Sequence, residues 1–214
     1  MTYLEIINDV LARLRENSVA TPTTSAYSSL IGKFVNDAKR QVEDSWNWDA
    51  LSVTTPITTV AGTSTYTLTG SGNRFKVDSV NDSTNQTRIS NVPINWITNI
   101  QQTSTVQNAA PSHYAFNGTS GGDARVELYP TPNGIFTLQF NMYVPQATLS
   151  AGADVLLVPS EPVILGAYAR ALVERGEDGG LSSSEAYQLF KSSLSDHISI
   201  ESTRFIENDE WVAC

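Results

Sequence analysis

The spacing of apolar residues changes twice along this 214-residue chain, and that change limits the folds open to it. Residues 2–16 and 25–46 place apolar side chains three and four positions apart, as amphipathic helices do. From Leu51 to about Ser150 the pattern alternates, which predicts β-strands, and helical spacing returns from Pro162 to Ile198. We therefore expect an α+β fold whose helical ends flank a β segment.

The four predicted helices need one another to bury their apolar stripes. We expect residues 1–50 and 151–201 to form a four-helix bundle, with residues 51–150 as an inserted antiparallel β domain. Residues 202–214 then form an extended C-terminal arm. On the second helix, Lys39 and Arg40 each stand four residues before a carboxylate, Glu43 or Asp44, and we expect a solvated face there.

Within the β domain, strands are predicted at residues 51–60, 65–68 and 75–80. The clearest hairpin joins Arg125–Tyr129 to Ile135–Val144, because the loop between them ends in Asn133-Gly134, a dipeptide favoured by tight turns. Gly118–Gly122 is expected to be an exposed loop. Alternate apolar residues mark one buried face of the second hairpin strand: Phe136, Leu138, Phe140, Met142 and Val144.

The chain is poor in charge and acidic overall. Only 16% of its residues are charged, with 13 basic and 22 acidic residues and a net charge of −9. Residues 151–214 hold 11 of the acidic residues, whereas residues 51–150 hold only four acidic and four basic ones. Strong binding of nucleic acid depends on Lys and Arg contacts with phosphates, so this composition excludes a protein that grips DNA, but not one that DNA passes.

No group of residues has the spacing of a catalytic or metal site. His113 and His197 are the only histidines and stand far apart, and the single cysteine is Cys214. The acidic pair Glu177-Asp178 is expected to be a solvated turn. The amino-terminal residues lack the basic flank and long apolar run of a signal peptide. We expect no catalytic residue, no metal and no cofactor, and synthesis in the cytosol.

Two aromatic features invite a functional interpretation. Trp46 and Trp48 stand where the second helix meets the β segment, as core anchors or as an interface hot spot. The C-terminal arm places Phe205, Ile206 and Trp211 among acidic residues, which fits either a disordered tail or a segment that buries its aromatics on a partner.

The stretch Phe34–Trp48, FVNDAKRQVEDSWNW, resembles the second helix of the head-to-tail adaptor proteins of short-tailed bacteriophages, also called tail tubular protein A or head completion proteins. Four further stretches resemble the same family in the same order, namely residues 111–115, 126–132, 142–144 and 159–170. Residues 62–107 depart from the family pattern. The resemblance rests on the order and spacing of these stretches along nearly the whole chain.

The resemblance implies a structural virion protein, made in the host cytoplasm, without catalysis or a membrane partner. It implies a homo-dodecameric ring that joins the portal protein to the tail nozzle protein, with genomic DNA passing through its channel without sequence-specific binding. It also implies that the C-terminal segment, here Ser202–Cys214, extends onto the portal. The expected contacts are then Phe205, Ile206, Glu207, Asp209, Glu210 and Trp211.

An alternative is a receptor- or carbohydrate-binding β module carried on a helical stalk. Its support is the Ser-, Thr- and Asn-rich middle of the chain and Trp96, because aromatic rings often stack on sugars. Helices at both ends of the chain argue against it, since a spike module usually attaches at one side. A hydrolase of unknown type ranks third, because no base and nucleophile are paired in the sequence.

Overall fold

A computed structural model describes residues 1–103, 108–176 and 181–204 of the chain, and these residues confirm the α+β class. The helices are α1 Tyr3–Arg13, α2 Ala26–Ser45, α3 Ile94–Thr103, α4 Ser160–Arg175 and α5 Leu181–Ser202. The strands are β1 Ser52–Thr58, β2 Thr65–Thr67, β3 Lys76–Asp82, β4 Thr87–Arg88, β5 Ser90–Asn91, β6 Asn108–Ala109, β7 His113–Ser120, β8 Asp123–Tyr129, β9 Thr131–Pro132 and β10 Thr137–Tyr143. The chain divides into a helical unit, Met1–Leu51 with Gln146–Cys214, and a β unit, Ser52–Pro145.

In the helical unit, α4 packs against α1, α2 and α5. Gly166 permits this approach, because a Cβ at this position would lie 3.1 Å from the Cβ of Ala38 on α2 and 3.2 Å from the ring of Phe190 on α5. The core of the helical unit is mostly aliphatic, with Tyr3, Trp48 and Phe190 as its buried aromatic residues. Its fully buried members include Ile6, Ile7, Val10, Ile31, Val35, Val42, Val163, Ala167 and Phe190.

The helix ends follow local chemistry. Thr2 and Glu5 form a reciprocal capping box, in which each side chain accepts the backbone N–H of the other residue and so satisfies two donors at the start of α1. At the other end of the unit, α4 stops at Gly176, whose φ of 64° lies in the left-handed region that glycine adopts without steric cost.

The β unit contains two four-stranded sheets and one short two-stranded pair. The first sheet is antiparallel, in the order β1–β10–β3–β4. The second has the order β2–β8–β7–β5, with β5 parallel to β7. Tyr114 on β7 meets Phe140 on β10 edge-on at 5.5 Å between ring centroids, so the two sheets share one core. The predicted buried face of β10 is confirmed, since Leu138, Phe140 and Met142 are at most 1% exposed.

The predicted hairpin of Arg125–Tyr129 with Ile135–Val144 is wrong. β8 belongs to the second sheet and β10 to the first, so they are not partners. Neither Asn133 nor Gly134 has a positive φ, and the loop between the strands instead contains β9, which pairs with β6. Two prolines in this loop remove backbone N–H groups, which disfavours a tight hairpin turn.

The true hairpin lies one strand earlier. β7 and β8 are joined by Gly121-Gly122, with φ angles of 62° and 93°, as a two-residue hairpin turn requires. The predicted loop at Gly118–Gly122 is therefore mostly strand, because β7 continues to Ser120.

The helix α3 was not predicted from the sequence, and it lies within the segment expected to be β. Its signal was the three-residue spacing of Ile94, Ile97 and Ile100 after Pro93, a residue favoured at helix starts. Ile97 is fully buried, so packing overrides the weak helix propensity of the surrounding Asn and Thr residues.

Candidate interaction surfaces

The two tryptophans predicted at the end of α2 belong to the helical unit. Trp48 is 2% exposed, and its indole Nε1 donates a 2.7 Å hydrogen bond to the carbonyl oxygen of Val42. Trp46 is the C-cap of α2, half-buried and packed against the same helical core. We propose that the pair fixes the direction in which the chain leaves α2 and enters the 3₁₀ turn Asp49–Leu51.

A buried ion pair on α2 holds the segment that returns the chain to the helical unit, residues 146–158. Lys39 Nζ donates to the carbonyl oxygens of Gln146, at 2.6 Å, and Ala147, at 3.1 Å, and pairs with Glu43 Oε1 at 3.0 Å. The same Glu43 oxygen accepts the Gln146 N–H at 3.1 Å. The solvated face expected here is therefore wrong for Lys39 and Glu43, whose side chains are 4% and 1% exposed.

The same segment is bound at two further places. Asn36 makes a pair of hydrogen bonds with the backbone of Leu149, at 3.0 Å to its carbonyl and 2.9 Å from its N–H. The start of α1 donates from Tyr3 N–H to the carbonyl oxygen of Asp154 at 2.8 Å. The Asp154 carboxylate accepts the N–H groups of Ser150 and Ala151, which lowers its pKa. These bonds fix residues 146–158 along α1 and α2.

An apolar groove of about 250 Å³ opens beside the C-terminal end of α5. Trp48 and Val158 are the buried apolar members of its lining, and Leu157 and Ile200 are exposed by 48% and 59%. His197 and Arg204 add two basic side chains to the lining. Exposed aliphatic residues beside a concave surface are typical of an interaction site.

Glu201 fixes this end of α5. It is buried at 7% exposure, its Oε1 accepts the N–H of Asp49 at 2.9 Å, and its Oε2 pairs with Arg204 at 3.0 Å. The carboxylate thereby joins the last turn of α5 to the 3₁₀ turn that follows α2. The position at which the chain leaves α5 is consequently set by side chains of the groove itself.

The predicted arm contacts lie outside the described residues. These are Phe205, Ile206, Glu207, Asp209, Glu210 and Trp211, which follow directly on Arg204. The acidic pair Glu177-Asp178 also lies outside the described residues.

The aromatic residue proposed as a sugar platform, Trp96, packs within the β unit. Its ring lies 4.7 Å from the ring of His113, tilted by 34°, and 5.6 Å from that of Tyr129, edge-on. These contacts hold α3 against β7 and β8. His197, the second histidine, bonds through Nδ1 to the carbonyl oxygen of Ser193 at 2.8 Å on the same helix.

Among the described residues, no three His, Cys, Asp or Glu side chains are grouped so as to hold a metal ion. The helices there also include none with the length and apolar character needed to cross a membrane.

The SU10 adaptor protein family matches residues 1–206 of the chain. The chain belongs to this family. The sequence-based resemblance to phage head-to-tail adaptors is thereby confirmed, and the chain is a phage adaptor protein, a structural component of the virion that contacts other virion proteins. No curated protein matches the chain closely enough to be compared with it.

Sequence reasoning paired Lys39 with Glu43 but missed the burial of the pair, and it missed the groove beside α5. The burial left one signal: Lys39 stands one position after Ala38 and three before Val42, so it borders the buried stripe of α2. The groove left none, because its lining comes from three separate parts of the chain.

Proposed function

We propose that this adaptor forms a closed ring, expected to be dodecameric, between the portal protein and the tail nozzle protein, with genomic DNA passing through its channel. The observation that carries the proposal is the family match over residues 1–206, which spans the helices and the β unit alike. In such a ring each subunit uses two different faces, and the rotation between neighbours must close.

The charge distribution supports this role. Residues 51–150 carry only four acidic and four basic residues, so small polar side chains dominate the part of the chain available for contacts with neighbours. With a net charge of −9, the chain repels the phosphate backbone on average and allows DNA to pass without retention.

Ring formation is tested with purified adaptor and purified portal of the same phage. Mass photometry and negative-stain electron microscopy should show closed rings, either alone or seated on the portal. Portal particles that stay bare at saturating adaptor would contradict the proposal. A trimeric particle that binds glycans would favour the receptor-binding alternative instead.

We further propose that the C-terminal arm attaches the adaptor to the portal through Phe205, Ile206 and Trp211. Ending the chain at Arg204 keeps the Arg204–Glu201 ion pair and should weaken portal binding while circular dichroism shows that the chain remains folded. Replacing the three apolar residues by Ser should have the same effect. Replacing Glu207, Asp209 and Glu210 by Gln is the matched control, because it removes the acidic groups of the arm and keeps its apolar ones. Portal binding that survives truncation would refute the proposal.

A further inference from the structure

The groove beside α5 exposes apolar side chains to solvent. Leu157 and Ile200 stand exposed on its rim, above the buried Trp48 and Val158. Within the described residues, no side chain fills the space of about 250 Å³ between them. Such a concave apolar surface gains stability when an apolar group excludes water from it.

The chain itself continues from the wall of this groove. Arg204 lines it, and the sequence runs on for ten further residues, 205–214. At about 3.3–3.6 Å per extended residue, this segment is long enough to reach every part of the groove. Its first two residues, Phe205 and Ile206, are large and apolar, and Trp211 follows.

The charge of the groove does not oppose the segment. Glu201 and Arg204 pair in its lining, so their charges cancel, and the Arg204 side chain is 63% exposed. The segment contributes Glu207, Asp209 and Glu210. These carboxylates can stay in solvent beside Arg204 while the apolar residues enter the groove.

We propose that in the free protein residues 205–214 dock into the groove of their own chain, with apolar side chains of the segment against Leu157, Val158 and Ile200. This docking shelters the aromatic residues of the arm from water until a partner competes for them. The inference goes beyond the proposed function, because it concerns the free protein and holds whatever the arm binds later.

The first test compares NMR spectra of the full chain and of a chain that ends at Arg204. Docking predicts that removal of the segment shifts the signals of Leu157 and Val158, which are far from the truncation in sequence, as well as the Trp48 indole. Shifts confined to the last turn of α5 would overturn the proposal.

Two variants of the full chain locate the docking site. Ile200→Asp places a charge in the groove and should reproduce the truncation shifts at Leu157 and Val158. Leu189→Asp is the matched control, because Leu189 lies on the same helix, is 60% exposed against 59% for Ile200, and does not line the groove. Equal effects of the two variants at Leu157 and Val158 would also overturn the proposal.

A mixed sample distinguishes the chain's own segment from that of another copy. Cys214 is the only cysteine, so a nitroxide label attaches at a single position. Isotope-labelled Cys214→Ser chains are mixed with unlabelled chains that carry the nitroxide, and their groove signals should keep full intensity. Broadening there would assign the groove to a neighbouring copy. These measurements use the free protein without the portal, so a negative result would refute docking of the segment without bearing on the proposed ring or its attachment to the portal.

Discussion

At the residue scale, one buried lysine of the helical unit forms three polar contacts. Lys39 satisfies two backbone carbonyls and one carboxylate from a position where its side chain is 4% exposed. A buried ammonium is tolerated only when its donors are all used, and here they are.

Replacing Lys39 by Met should destabilise the protein by about 3–5 kcal/mol, because it leaves Glu43 as a buried, unpaired carboxylate. Urea unfolding followed by circular dichroism measures the change. The control is Arg13→Met, which removes another i,i+4 ion pair, Asp9–Arg13, at 3.6 Å on an exposed face of α1. An exposed pair contributes about 0.2–1 kcal/mol, so equal losses in the two variants would contradict the argument.

Asp123 at the start of β8 holds the turn that follows β2. Its two carboxylate oxygens accept the N–H groups of Gly70 at 3.0 Å and Gly72 at 2.9 Å, and these bonds lower its pKa. A carboxylate whose pKa is lower when folded stabilises the fold above its unfolded pKa of about 3.9 and loses that contribution as the pH falls through the folded value.

Asp123→Asn should therefore lower the unfolding temperature at neutral pH, where an amide –NH₂ would face a backbone donor. It should also reduce the loss of stability as the pH falls below about 3.9, where Asp123 protonates first in the unfolded chain and then, at lower pH, in the folded one. Thermal unfolding over this pH series, beside the parent chain, is the measurement. Parallel curves for the two proteins would show that Asp123 contributes nothing to the acid response.

At the scale of elements, the exposed edge of the first sheet is interrupted by a proline. Thr59 N–H donates to the carbonyl oxygen of Phe136 at 2.9 Å, so the backbone of Thr59 faces the partner strand. Successive residues of a strand direct their backbone groups alternately towards and away from the partner, and Pro56, three residues earlier, therefore directs its backbone away from β10. An uncharged strand with a continuous row of outward N–H groups would pair with other chains, and Pro56 removes one donor from that row.

Pro56→Val should consequently increase self-association through β1. Sedimentation velocity at rising protein concentration measures it against the parent chain. Thr58→Val is the control, because it adds a similar apolar side chain on the same strand and keeps the N–H pattern of the parent edge unchanged. If both variants sediment like the parent, the proline does not protect this edge.

At the scale of the whole molecule, charge sets the relation to DNA. A chain with 13 basic and 22 acidic residues has few cations to spare for phosphates. Non-specific DNA-binding proteins reach a Kd of about 10⁻⁴–10⁻⁶ M at physiological salt, and we expect this chain to bind duplex DNA more weakly than about 10⁻⁴ M.

Fluorescence anisotropy with labelled duplexes of two unrelated sequences tests this expectation. Titrations at low and physiological salt should give no saturation and no difference between the duplexes. Micromolar binding that falls steeply with salt would reveal a local basic surface that the net charge conceals.

The sequence was sufficient for features that depend on local periodicity. The spacing of apolar residues predicted α1, α2, α4 and α5, and the alternation from Phe136 to Val144 predicted the buried face of β10. Two further features could have been predicted from the sequence. A proline within a strand, such as Pro56, indicates the edge of a sheet, and a Gly-Gly pair, such as Gly121-Gly122, suits a two-residue hairpin turn with positive φ angles.

The tertiary structure alone decided which strands are partners and which polar residues are buried. The loop after Tyr129 leads from one sheet to the other, and no local rule specifies that choice, because strand pairing is settled by burial of both faces. Lys39 and Glu43 look like a solvent-exposed pair until Gln146 and Ala147, more than a hundred residues later, cover them. The groove beside α5 likewise exists only where residues near 48, 158 and 200 meet. Apolar periodicity depends on residues close in sequence, whereas strand pairing and burial depend on distant segments that only the folded chain brings together.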